Sequence, residues 1–114
     1  LYTQTGTPYY ASPEVWKDLP YDQKSDIWSL GCVFYEVLAL VPPFRAKDMN
    51  GLFKKVTAGV YDEPPKIFSP ELTKLITSMI RVNPKDRPSC DQILRDPSVQ
   101  TKMKQLKLYK PNLT

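Results

Sequence analysis

The chain has 114 residues, 41% of them hydrophobic, with 12 prolines, 2 cysteines, no histidine and a formal net charge of +4. A domain of that length buries about two-thirds of its unfolded-chain surface, enough for one core, and without histidine neither a Cys/His zinc cluster nor a Ser-His or Cys-His nucleophile pair can be assembled. Lys and Arg balance Asp and Glu as far as residue 94, so the positive excess lies in Arg95, Lys102, Lys104, Lys107 and Lys110 against Asp96 alone; spaced cations without interleaved aromatics read as a solvated face, with no nucleic-acid or membrane partner.

In chain order, residues 5 to 14, "TGTPYYASPE", form a loop rich in proline, tyrosine and hydroxyl groups. Residues 25 to 41 then carry apolar side chains on every side of a helix, so a central, buried helix is expected there, with Ser25 or Asp26 as its cap and Pro42-Pro43 as its stop. Asp26 and Glu36 interrupt the run, which excludes a membrane span. "DMNGLFKKVTAG" (48 to 59) predicts an amphipathic helix between an Asp48 cap and a Gly59 stop, weakened by Gly51. "SPELTKLITSMIR" predicts another, with Ser69 as cap, Pro70 in the first helical position and Leu72, Leu75, Ile76, Met79 and Ile80 on one face. "NPKDRPS" (83 to 89) reads as a proline-bracketed turn and "SCDQILRD" as a short helix capped by Ser89 and stopped before Pro97. No strand alternation is present, so the chain is expected to be all-helical, and the prolines mark sharp boundaries between helices.

Cys32 and Cys90 lack CxxC spacing and are expected to be reduced core thiols. No signal-peptide pattern opens the chain, which points to a cytoplasmic protein with nuclear or cytoskeletal association left open, and Leu1 in place of Met suggests a piece of something longer. The glycines at 6, 31, 51 and 59 form neither a GxGxxG nor a GxxxxGK loop, so no phosphate cradle is expected, and Asp26 reads as a buried structural acceptor. From the residues alone the reading stops at an all-helical chain with a hydroxyl-rich loop.

"GTPYYASPE", then "SDIWSLGCVFYEVLALVPPF", then "DRPS" resemble in order the C-terminal helical lobe of a eukaryotic serine/threonine protein kinase, from the activation segment onward. The doubled tyrosine and the wording of the second stretch are similar to the NIMA-related kinases, over about residues 3 to 99. The resemblance divides the chain into an activation-segment end and substrate loop (1–14), the helical lobe (15–99) and a basic tail (100–114) that it does not cover.

The resemblance also implies roles. Gly6, Thr7, Pro8, Tyr9 and Tyr10 would lie against the substrate peptide, and Thr7 matches the threonine that contacts the catalytic aspartate and lysine, so the acceptor is expected to be Ser or Thr. Glu14, in the triplet Ser12-Pro13-Glu14, would pair with Arg87; Asp26 would accept N–H groups of the catalytic loop; Trp28 and Gly31 would serve packing. Thr3 is the expected activating phosphosite, with Thr5 second. ATP and Mg would be held by the glycine-rich loop, the lysine, the His-Arg-Asp loop and the Asp-Phe-Gly site, all upstream of Leu1, so these residues alone are expected to bind neither and to be inactive. Partners would be protein substrates and the missing N-lobe and catalytic loop, without which the helix at 25 to 41 is expected to leave a large exposed patch. A pseudokinase lobe acting as a scaffold is the alternative reading; an unrelated helical adaptor would need three ordered motifs by accident.

Overall fold

The structure is a computed structural model that describes residues 7–107. Its helices run α1 (Pro13–Trp16), α2 (Gln23–Ala39), α3 (Met49–Ala58), α4 (Pro70–Met79), a 3₁₀ turn (Pro84–Asp86), α5 (Cys90–Arg95) and α6 (Pro97–Gln105), with no strand among the described residues. Most helix starts are fixed by one short oxygen-bearing side chain that accepts an otherwise unpaired backbone N–H. Ser12, Asp48, Ser69, Ser89 and Asp96 do this for α1, α3, α4, α5 and α6. In α5 the cap is reciprocal, with the Gln92 side chain accepting from Ser89 N–H. Gly59 ends α3 in the left-handed region at φ 70, as expected of the glycine stop.

The start of α2 differs from expectation. Neither Ser25 nor Asp26 caps α2: Asp22 does, accepting from Lys24 N–H at 2.9 Å, while Ser25 occupies the third helical position and accepts from Asp22 N–H. Asp26 is exposed, not buried, and accepts from the Tyr21 hydroxyl. Within the described residues of the basic stretch, α6 runs across residue 100 and carries apolar residues on one side.

α2 and α4 form the central contact. Gly31 makes it close: a Cβ there would stand 2.7 Å from Met79 Cβ and 3.0 Å from Ile80 Cγ1. Around this crossing Ile27, Trp28, Cys32 and Tyr35 of α2 meet Ile76, Met79 and Ile80, with Phe44 and the α3 residues Leu52 and Val56 completing the core. Trp28 stacks on Phe44 with ring centroids 5.4 Å apart and planes at 8°, and Tyr61 closes the cluster edge-on to both Phe44 and Tyr35. The opposite side of α2 is bare: Leu30, Val33, Phe34 and Val37 are exposed. The helix is therefore central but buried on one side only, which leaves the expected apolar patch.

The cysteines divide as well. Cys32 lies in the core, where burial pushes its thiol up to about 12, whereas Cys90 is exposed at the start of α5 and is not a core thiol. No helix of the described residues is long and apolar enough to cross a membrane.

Two outcomes follow from the packing. Gly31→Ala should lower unfolding stability by about 1–3 kcal/mol in urea titration, since the Met79 side of the contact has no room for a methyl group. With Ellman's reagent one thiol, Cys90, should react at once and Cys32 only on unfolding; a fast reaction at both would show that the α2–α4 crossing is open.

Candidate functional site

Residues 7–14 make two tight turns and enter α1: Tyr9 N–H donates to Thr7 carbonyl at 3.0 Å, and Ala11 N–H to Pro8 carbonyl at 3.4 Å. Pro8 and residues 11 to 14 are buried, whereas Thr7, Tyr9 and Tyr10 face outward. Two bonds fasten the outer part to α2: Ser29 Oγ donates to Tyr10 carbonyl at 2.8 Å, and the Tyr10 hydroxyl donates to the Glu36 carboxylate. The bond to that carboxylate, together with some burial and its negative charge, pushes the Tyr10 phenol up to about 12.

The inner end is held by an ion pair. Arg87 Nη1 lies 2.6 Å from Glu14 Oε2 and Nη2 lies 2.9 Å from Oε1, the two-pronged geometry that suits a guanidinium and a carboxylate. Ser25 Oγ donates a third bond, 2.7 Å, to Oε2. The other N–H groups of Arg87 go to carbonyls: Nε to Arg81 at 2.7 Å, Nη1 to Lys24 at 2.8 Å and Nη2 to Val82 at 3.1 Å. All its N–H donors are thus used. The guanidinium also sits 5.0 Å above the Trp28 ring, and the Lys24 ammonium donates to the Arg87 carbonyl. Burial works against the Glu14 charge, but the bonds from Arg87 and Ser25 outweigh it and bring its pKa down to about 2.

Chemically, this site can hold a peptide-sized loop still and present a hydroxyl and two phenols; it brings no acid–base pair together. Nothing in it cradles a phosphate, and among the described residues no group of three His, Cys, Asp or Glu could hold a metal ion.

Comparison with known proteins matches the protein kinase domain to residues 1–99. The chain belongs to the protein kinase family. Within that family it is similar to Nek, or NIMA-related, kinases. It is 46% identical over 98 residues to serine/threonine-protein kinase Nek4 of Mus musculus, covering 86% of this chain and 12% of that protein. It is 43% identical over 110 residues to probable serine/threonine-protein kinase nek2 of Dictyostelium discoideum, covering 95% and 26%, and 40% identical over 107 residues to putative serine/threonine-protein kinase A of Trypanosoma brucei brucei, covering 94% and 24%. The chain thus spans a quarter or less of the length of most of these kinases.

Of the residues singled out in the kinase reading, the structure joins Glu14 to Arg87, places Trp28 beneath that arginine and puts Gly31 at the helix crossing. Thr7, Pro8, Tyr9 and Tyr10 share one loop; Thr3, Thr5 and Gly6 lie outside the described residues. Sequence reasoning missed Ser25, Ser29 and Glu36, the residues of α2 that hold the kinase loop. A signal existed: they recur at i, i+4 and i+11, one polar stripe along an otherwise apolar helix.

Arg87→Ala should destabilise by about 3–5 kcal/mol, because the carboxylate is left buried and unpaired, while Arg87→Met with Glu14→Leu should recover part of the loss. Chemical denaturation of the two single variants and the double variant measures this; strict additivity would show that the two residues do not interact.

Proposed function

We propose that this chain is the substrate-side part of a serine/threonine protein kinase whose complete domain transfers the γ-phosphoryl group of Mg-ATP to Ser or Thr of protein substrates. The observation that carries the reading is the loop 7–14, held at its inner end by Glu14 and Arg87 and on its outer part by Ser29 and Glu36, with Thr7 left exposed. A loop fastened at Tyr10 and at Glu14 loses little entropy there when a peptide lies along it, so it suits positioning an acceptor hydroxyl. In this reading the Thr7 hydroxyl meets the catalytic aspartate and lysine, and Pro8, Tyr9 and Tyr10 bound the pocket for the residue after the acceptor.

In this reading the ATP and Mg sites lie outside these residues, which is supported by the lack of a glycine-rich phosphate-binding motif in the sequence. Nucleotide and metal belong to the glycine-rich loop, lysine, His-Arg-Asp and Asp-Phe-Gly elements of the complete domain, and the 114 residues alone are inactive. The reading carries with it a cytoplasmic location, in keeping with Cys32 and Cys90 both unpaired.

Regulation follows from the same loop. Thr3 is the activating phosphosite and Thr5 a lesser one, because Thr7 is committed to the catalytic groups; a phosphate at Thr3 adds about −1.5 to −2 charge that can order the segment against basic groups.

The complete kinase, assayed with radiolabelled ATP on a protein substrate, should yield phosphoserine or phosphothreonine and no phosphotyrosine. Thr7→Ala should lower kcat at least tenfold, as should Thr3→Ala after pre-incubation with ATP, with Thr5→Ala less affected. A folded complete domain that neither binds Mg-ATP nor transfers phosphate would instead make it a pseudokinase scaffold.

A further inference from the structure

The basic C-terminal stretch forms α6 with Lys102, Lys104 and Lys107 exposed, the expected solvated face, and the same helix carries an apolar stripe. Val99, Met103 and Leu106 lie at i, i+4 and i+7, and across from them stand Leu72 and Leu75 of α4. Between these two walls runs a groove of about 410 Å³, inside the range of about 300–1,000 Å³ typical of binding clefts. Leu106 is 59% exposed at its end, and the other four are only partly buried. A basic extension that served solubility alone would need no such stripe.

We propose that the α4–α6 groove is a docking site for an acidic amphipathic helix of a partner protein. The argument for the occupant is charge. The chain's whole positive excess, 5 Lys/Arg less 1 Asp, lies in residues 95 to 110, and Lys102 lines the groove itself while Lys107 follows its α6 wall. An acidic flank on the occupant meets that edge, and its apolar anchors at helical spacing enter between the walls, the helix-in-groove mode of recognition. A second copy of this chain would bring the same positive face and be repelled. The chain's own residues 108–114 would add Lys110 to an edge already basic. A membrane surface is flat, whereas this site is concave; Glu71 stands on its far wall, so the occupant's acidic flank faces the Lys102 edge and its uncharged side faces α4.

The test uses the full-length polypeptide that carries these residues. The probe is a labelled 18-residue helical peptide with Leu at 4, 8, 11 and 15, Glu along one flank and Ala and Gln elsewhere, read by fluorescence anisotropy at low and at high salt. Binding should be saturable and weaken about tenfold or more with salt, and the twin peptide with Lys for Glu should not bind. Lys102→Glu with Lys107→Glu should weaken binding about tenfold or more without moving the unfolding midpoint, and so should Val99→Asp with Met103→Asp. Equal binding of the two peptides, or no loss in the charge variant, would overturn the proposal. So would tenfold tighter peptide binding on deletion of 108–114, a dimer that Val99→Asp with Met103→Asp dissociates, or binding to phosphatidylserine vesicles without binding to the acidic peptide. Each of these outcomes names another occupant.

Discussion

Arg87 is a permanent cation that is 1% exposed, and removing such a charge from water costs several kcal/mol unless partners replace the lost hydration. Here the replacement is complete: the Glu14 carboxylate, three carbonyls and the face of Trp28. Those partners come from different parts of the chain, the end of the 7–14 loop, α2 and the turn after α4. Satisfying one guanidinium therefore fixes all three relative to one another. The loop 7–14 is held not only by its own two tight turns but by Ser25, Ser29 and Glu36 of α2 and, at its inner end, by a residue 73 positions away in sequence.

α2 is where that constraint spreads through the fold. One side of it is closed by α4 through the Gly31 contact, a second carries the polar stripe that binds the loop, and the rest is apolar and bare. Three duties around one helix explain why its sequence shows no single hydrophobic stripe. That bare side belongs to a chain of the protein kinase family that spans 12% to 26% of the length of its quoted relatives.

Helix limits were legible wherever a single residue decides them: Asp48 and Gly59 around α3, Ser69 with Pro70 before α4, and Ser89 before α5. The start of α2 was not, because Asp22, Ser25 and Asp26 all qualify as caps and only the reciprocal bonds between Asp22 and Ser25 choose among them. α6 escaped notice since its lysines outweigh its apolar residues on average, although Asp96-Pro97 followed by Val99, Met103 and Leu106 is a helix start with a stripe. The Glu14–Arg87 pair was legible only through resemblance. Nothing in local pattern links residues 73 apart, and charge alone could have paired Arg87 with any of the nearby acids. Asp26 and Cys90 went the other way, apolar or motif neighbours suggesting burial where the helix turns them out to solvent.

The anchoring of the 7–14 loop depends on Glu14 being ionised and buried against Arg87, and its carboxyl titration followed by carbon-13 NMR reads that directly. A carboxylate whose pKa is lowered on folding adds stability above its unfolded value, near 4.3, and the contribution is lost as pH falls toward the folded value. Titration of Glu14 at about 2, with about 3 kcal/mol of stability disappearing between roughly pH 5 and 2, is the predicted result. A Glu14 that titrates at about 4, like a solvated glutamate, would contradict it.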